Sequence, residues 1–192
     1  MQSSLNNAGL FLINTLFDLY LLILMVRIIL AWAHADYYNP FTQIIIKLTK
    51  PVIDPLRKII PNYAGIEFAT LATIFIIEII KFSLIGIITI GMPKHILGLV
   101  VLAGADIIKL LLNTFFYAIL LQAILSWIQP GYSPTARILA QLTSPIMRPI
   151  QRIMPPISGF DLSPIPAMII LQLLIILLIG PLQAMGTQIA FG

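Results

Sequence analysis

Runs of Leu, Ile, Val and Phe, apolar on every side, dominate the chain at residues 10–32, 68–90, within 96–128 and at 165–184. Each supplies the ~20 residues an α-helix needs to cross ~30 Å of hydrocarbon. Membrane β-strands would alternate over short segments instead. The pattern predicts an all-α membrane protein with four transmembrane helices. The third run exceeds one plain span. Gly98 and Gly104 lie in its first part, followed by Asp106 and Lys109. Residues 94–103 read as an interfacial lead-in and 105–127 as the span.

Two connecting segments break this pattern: KLTKPVIDPLRKIIP at 47–61 and QLTSPIMRPIQRIMP at 141–155. Drawn as a helix, the first places Lys47, Lys50, Asp54, Arg57 and Lys58 on one polar stripe, with Ile45, Leu48, Val52, Ile53 and Leu56 around it. In the second, Arg137, Gln141, Ser144, Arg148, Gln151 and Arg152 form the stripe. Such amphipathic helices suit the membrane plane, with basic groups toward anionic headgroups. An interior proline lacks an N–H and clashes with the preceding turn, and it steers the residue before it away from the helical region. Each segment is therefore expected as two short helices. The first ends near Thr49 or Thr143. The second starts at Pro51 or Pro55, and at Pro145 or Pro149, with Asp54 and Ser144 as candidate N-caps. A shallow re-entrant hairpin is the alternative to a helix lying flat.

The two halves align. RIILAW at 27–32 matches QAILSW at 122–127, an offset of 95. At an offset of 94, Pro40, Thr49, Pro51, Pro55, Pro61, Gly65 and Glu67 match Pro134, Thr143, Pro145, Pro149, Pro155, Gly159 and Asp161. Repetition in order marks a duplication. Residues 1–95 and 96–192 are the expected units, each a span, a proline-broken amphipathic interfacial segment and a span. Two spans per unit make the repeats parallel, related by an axis along the membrane normal.

The repeated tryptophan, the LT-x-P-x-x-x-P core, the following basic residue and third proline, and the G-x-[DE] ending resemble the YggT family of bacterial and plastid membrane proteins, in its double-unit form. The resemblance covers nearly the whole chain. It implies links to membrane assembly, cell division, organelle and nucleoid organisation, haem-protein maturation in plastids, and osmotic or ion stress in bacteria. The second unit departs from the basic pattern at Gln122 and Gln151, where the first has Arg27 and Arg57.

Charge adds orientation. Of 192 residues, 59% are hydrophobic and only 9% charged, against about 25% charged in soluble domains. Lys47, Lys50, Arg57 and Lys58 between spans one and two, with Arg137, Arg148 and Arg152 between spans three and four, make seven of the eleven basic residues. The positive-inside rule then predicts a multi-pass protein of the bacterial inner membrane, with both segments cytoplasmic and both termini outward. The N-terminus has no basic n-region of a cleaved signal peptide. Trp32, Trp127, Tyr37, Tyr38, Tyr63 and Tyr132 read as an aromatic belt.

Charges inside spans cost roughly 2.5–3.5 kcal/mol near the bilayer centre. Asp18, Arg27, Glu78 and Lys81 in the first unit align with Asn113, Gln122, Gln172 and Ile175 in the second. Polar character survives at three positions without charge, which suggests a shared bundle interior. Glu78 and Lys81, like Asp106 and Lys109, are spaced to pair on one helix. Arg27 sits near a span end and is expected to snorkel to the headgroups. A polar relay and a set of neutralised pairs that fixes helix register both fit. Glu67 and Asp161 precede spans two and four, where a carboxylate complements a helix N-terminus.

The chain has no cysteine, no HExxH, no GxSxG and no phosphate-binding glycine loop. His34 and His95 fall on opposite sides of the predicted membrane. No enzyme activity, cofactor, metal or nucleic-acid binding is expected. The leading expectation is a membrane organiser or assembly factor whose basic segments meet anionic lipids and a protein partner at the cytoplasmic face. The alternative is an ion or small-solute channel or transporter in osmotic or ion homeostasis. Self-association stays open, since no span shows a convincing GxxxG seam.

Overall fold

The computed structural model describes residues 2–33, 38–61, 67–128, 134–154 and 161–192. His34, Tyr37, Tyr63, Gly65, Tyr132, Pro155 and Gly159 lie outside the described residues. The described chain forms α1 (Gln2–Trp32), α2 (Pro40–Arg57), α3 (Phe68–Thr89), α4 (Ile96–Ile128), α5 (Pro134–Ile153), α6 (Pro164–Leu174) and α7 (Gly180–Phe191). Four stretches are long and apolar enough to cross a bilayer: Ser4–Trp32, Phe68–Thr89, Ile96–Ser126 and Pro164–Phe191. Leu12 and Leu16 of α1, Ile76 and Ile80 of α3, Leu121 of α4, and Leu173 and Ile176 along the last stretch stay exposed on the bundle surface. Apolar groups all round a helix suit lipid as solvent.

α4 is the hub, packing on α1, α3, α5, α6 and α7. The main core joins Leu21, Leu24 and Ile29 of α1 to Ile53 of α2, Ile74 of α3, Phe115 and Ile119 of α4, Met147 of α5 and Leu171 of α6. α2 leads from the end of α1 to the start of α3, and α5 from the end of α4 to the start of α6. Both lie at one end of the bundle, here termed the connector end. Both chain termini lie at the other.

At the terminal end, α4 and α7 approach closely. A Cβ on Gly98 would come within 2.2 Å of the Ala190 backbone, and one on Gly186 within 2.8 Å of Leu102. Gly186 and Ala190 are four apart, a small-xxx-small seam of the kind that lets membrane helices touch. No GxxxG pair is present, and this Gly-xxx-Ala seam serves packing inside the chain. The expected interfacial lead-in at 94–103 is corrected. α4 is continuous from Ile96, and this seam buries Leu99, Leu102 and Ala103.

Proline placement explains the fourth stretch. Pro181 lacks an N–H, and its ring crowds the carbonyl four residues earlier. The helix widens into a π turn at Ile175–Ile179, where the Gly180 N–H donates to Ile175 O. Such bulges are a usual answer to an interrupted ladder.

The connecting segments are not broken. α2 runs through Pro51 and Pro55, and α5 through Pro145 and Pro149. Thr49 and Thr143 sit mid-helix, and Asp54 and Ser144 cap nothing. A hydroxyl compensates for one of the lost N–H groups. Pro145 leaves the Gln141 carbonyl without its i+4 donor, and Ser144 Oγ donates to that oxygen at 2.9 Å. Thr49 Oγ1 donates to Ile45 O at 2.7 Å, a carbonyl that no proline has freed. The helix start at Pro40 is capped by Asn39, whose side chain accepts from the Phe41 N–H at 2.9 Å. α2 buries Thr42, Ile45, Thr49 and Ile53 against the bundle.

Candidate functional site

The connector end holds a buried ion group. Arg27, near the end of α1, is 5% exposed. Its Nε donates to Glu67 Oε2 at 2.7 Å and its Nη1 to Thr49 Oγ1 at 2.6 Å. Arg57, at the end of α2, donates from Nη2 to Glu67 Oε1 at 2.6 Å. Thr70 Oγ1 adds a bond to Oε2 at 2.7 Å. One carboxylate thus ties α1, α2 and the first turn of α3. Burial alone would push the Glu67 carboxyl up. Hydrogen bonds from Arg27 and Thr70 and the charges of Arg27 and Arg57 outweigh it, so Glu67 sits below the ordinary glutamate range. A cleft of about 310 Å³ opens beside the group, with Thr42 in its wall.

One expectation is corrected here. Arg27 does not snorkel: its guanidinium is held inside the protein by Glu67 and Thr49. Glu67 stands at the start of α3, as expected, without a side-chain capping bond; its oxygens are taken by the two guanidiniums and Thr70.

The second half uses the same positions with different chemistry. Thr143 Oγ1 contacts the Gln122 side-chain amide and lies 2.9 Å from Leu139 O. A hydroxyl has one proton and Leu139 O can only accept. Gln122 satisfies both neighbours by turning its amide N–H toward Thr143. Gln151 Nε2 donates to Asp161 Oδ2 at 2.8 Å. Asp161 also accepts the Ser163 N–H at 2.9 Å and the Ser163 hydroxyl. Sequence reasoning missed Glu67, Thr49, Thr143 and Asp161 as partners. The signal was present: the two Arg-to-Gln changes, at 27/122 and 57/151, fall on residues that meet one repeated acid and one repeated threonine.

A second polar cluster lies toward the terminal end. Lys81 Nζ donates to Asp106 Oδ2 at 2.7 Å and to Asp18 Oδ1 at 3.1 Å. It also lies 2.7 Å from Glu78 Oε2, but out of line for a hydrogen bond, so neither Glu78 oxygen is hydrogen-bonded. Gln183 Nε2 donates to Asp106 Oδ1 at 2.8 Å, and Lys109 stands 3.8 Å from the same oxygen. The expected i,i+3 pairs form. Asp18 and Arg27 stay apart, in different clusters. Asn113 and Gln172 are half-buried and join neither cluster; the amide that meets a charge here is Gln183, on Asp106 of the same half.

On α2 and α5 the basic stripe divides. Arg57 turns inward to Glu67. Lys47, Lys50, Lys58, Arg137, Arg148 and Arg152 are exposed, and none forms an ion pair among the described residues. No group of three or more His, Asp or Glu there is placed to hold a metal ion.

These features define a multi-pass helical inner-membrane protein with paired charges inside and basic faces at one end. The CCB3/YggT family model matches the chain twice, over residues 6–88 and 101–182. The chain belongs to this family. It is 39% identical over 183 residues to an uncharacterised protein of Pseudomonas aeruginosa, covering 94% of this chain and 93% of the other. It is 37% identical over 183 residues to the uncharacterised protein YggT of Escherichia coli, covering 95% of each. A Vibrio alginolyticus protein is 43% identical over 167 residues, covering 86% of this chain and 90% of its own length. No solved structure matches.

Proposed function

We propose that the chain is a non-enzymatic membrane organiser or assembly factor, built of two parallel units at residues 1–95 and 96–192. α2 and α5 lie along the cytoplasmic interface and gather anionic lipid, or a partner carried with it. The observation that supports this reading is the contrast in charge pairing. Every basic residue inside the bundle has a carboxylate beside it, whereas Lys47, Lys50, Lys58, Arg137, Arg148 and Arg152 on the connector faces form no ion pair among the described residues. Exposed cations near a membrane surface contribute ~1 kcal/mol each toward anionic lipid.

The test is energy transfer from a labelled chain to a labelled anionic lipid in mixed vesicles. Enrichment over phosphatidylcholine should fall with salt and in a Lys47→Gln/Lys50→Gln/Lys58→Gln/Arg148→Gln/Arg152→Gln variant. Equal enrichment in that variant overturns the reading. A lone cysteine at Lys58 should be shielded from an impermeant thiol reagent in intact cells, and one at Lys94 should label.

One observation favours transport as a second reading. Asp18, Glu78 and Asp106 outnumber Lys81 and Lys109, and Glu78 is buried without a hydrogen bond. Cation flux in liposomes that is abolished by Glu78→Gln would favour it. No flux above empty liposomes would remove it.

A further inference from the structure

Where α5 passes the last turn of α1, the two halves leave an open groove of about 600 Å³. Its wall carries Trp32 from α1 and Arg137, Gln141, Ser144 and Arg148 from α5. Both arginines are exposed, and neither pairs with a carboxylate among the described residues. α5 itself contains no Asp or Glu. The corresponding positions on α2 are Gln43 and Asp54, so no second pair of arginines lies there. The second half has lost its inward charges at Gln122 and Gln151 but carries these two outward ones.

We propose that this groove holds an anionic phospholipid whose headgroup bears two phosphodiesters on a shared glycerol. The proposal rests on the reading of α5 as an interfacial helix. Arg137 and Arg148 are eleven residues apart, three turns of one helix face, with Cα atoms roughly 16 Å apart along the axis. Both side chains line the groove. One phosphate would meet one guanidinium at each end, with the Gln141 amide between them. Guanidinium matches phosphate as a bidentate donor, which lysine does not. Trp32, half-exposed at the end of α1, sets the depth, since tryptophan favours the headgroup level. The volume and the two separated cationic centres fit a two-phosphate headgroup better than a single phosphate, which would leave one arginine unmatched.

Native mass spectrometry of the full chain, released from detergent with cardiolipin, phosphatidylglycerol or phosphatidylcholine added, tests this. One cardiolipin per chain should be retained in preference to the other two. Arg137→Gln/Arg148→Gln should lower its retention roughly tenfold or more, the scale of a lost charge-assisted hydrogen bond. Lys94→Gln, at the terminal end of the bundle, should leave retention unchanged. Ala140→Glu sets a carboxylate in the exposed wall of the groove, one turn from Arg137, and should displace the lipid by repulsion and by pairing with that guanidinium while both arginines stay in the chain; it decides the matter if the double variant does not fold. Equal retention of cardiolipin in the arginine and Ala140 variants overturns the site, as does equal loss in the lysine variant. Displacement by phosphatidylglycerol or inorganic phosphate at matched concentration overturns the two-phosphate assignment. Anionic enrichment in vesicles that persists while this site fails would leave the organiser reading standing.

Discussion

Two junctions at the connector end do one mechanical job with different chemistry. In the first half, Arg27 and Arg57 grip Glu67, with Thr49 and Thr70 completing the group. In the second, Gln122 meets Thr143, and Gln151 meets Asp161. Both threonines are fully buried. The helix arrangement therefore does not depend on charge, because amides hold it in the second half. Buried ion groups often contribute little over a neutral replacement, yet removing one partner alone strands the other. The two junctions should look alike until one member is deleted.

The largest effect is expected from Arg27→Ala. It leaves Glu67 buried with only Arg57 and Thr70 and takes the donor from Thr49. The loss should be about 3 kcal/mol, the lower edge for breaking a buried pair. Gln122→Ala should cost roughly 0.6–1.7 kcal/mol, the range for interhelical hydrogen bonds in membranes. Unfolding in mixed detergent micelles, both variants side by side, checks the gap. Equal losses would mean that the charge adds nothing to the first junction.

Converting one junction into the other sharpens the comparison. The Arg27→Gln/Arg57→Gln/Glu67→Asp variant gives the first half the residues of the second. It should lie within about 1–2 kcal/mol of wild type, because both guanidiniums are removed together and the remaining carboxylate keeps an amide donor, as Asp161 does from Gln151. Stability below that of Arg27→Ala alone would show that the backbone of the first half requires the ion group.

The architecture was legible in the sequence because lipid imposes it: four runs long enough to span, and two basic segments between them. The proline argument failed on a local point. Sequence reasoning set each proline's cost against an unassisted helix, whereas Ser144 supplies a side-chain donor to the carbonyl that Pro145 frees and tertiary packing holds Thr49, Ile53, Thr143 and Met147 in place. The site was half legible. Pairs at i,i+3, such as Glu78 with Lys81, follow from helix geometry. Arg27 with Glu67 joins residues forty apart, and no periodicity reports that. The pairing was encoded only in the difference between halves, where the arginines at 27 and 57 became glutamines together.

Acid should separate wild type from Glu67→Gln by a smaller amount. The folded-state carboxyl of Glu67 lies below its ordinary value, mainly because hydrogen bonds from Arg27 and Thr70 and both arginine charges overcome burial. A depressed carboxylate contributes stability that is fully present above the unfolded value of ~4.3. That contribution is lost as pH falls through the folded value. The melting-temperature advantage of wild type over Glu67→Gln should therefore hold at neutral pH and shrink as pH falls below ~4.3. A constant gap down through that range would mean that Glu67 carries no charge-dependent stabilisation.

The smallest effect tests how the second half tolerates its proline. Ser144 Oγ donates to the Gln141 carbonyl, whose ordinary partner is the N–H that Pro145 lacks. Ser144→Ala should cost about 0.5–1.5 kcal/mol, a typical net hydrogen bond. In the first half the matching residue is Lys50, which is exposed, and Lys50→Ala should change stability by less than about 0.5 kcal/mol. The cause can be isolated by a cycle with Pro145→Ala. Restoring the backbone N–H gives Gln141 its helical donor, so Ser144→Ala should then cost almost nothing, and the coupling should equal most of the single effect. If Ser144→Ala costs the same with alanine at position 145, the hydroxyl is not standing in for the missing N–H, and packing against the bundle alone carries α5 past its proline.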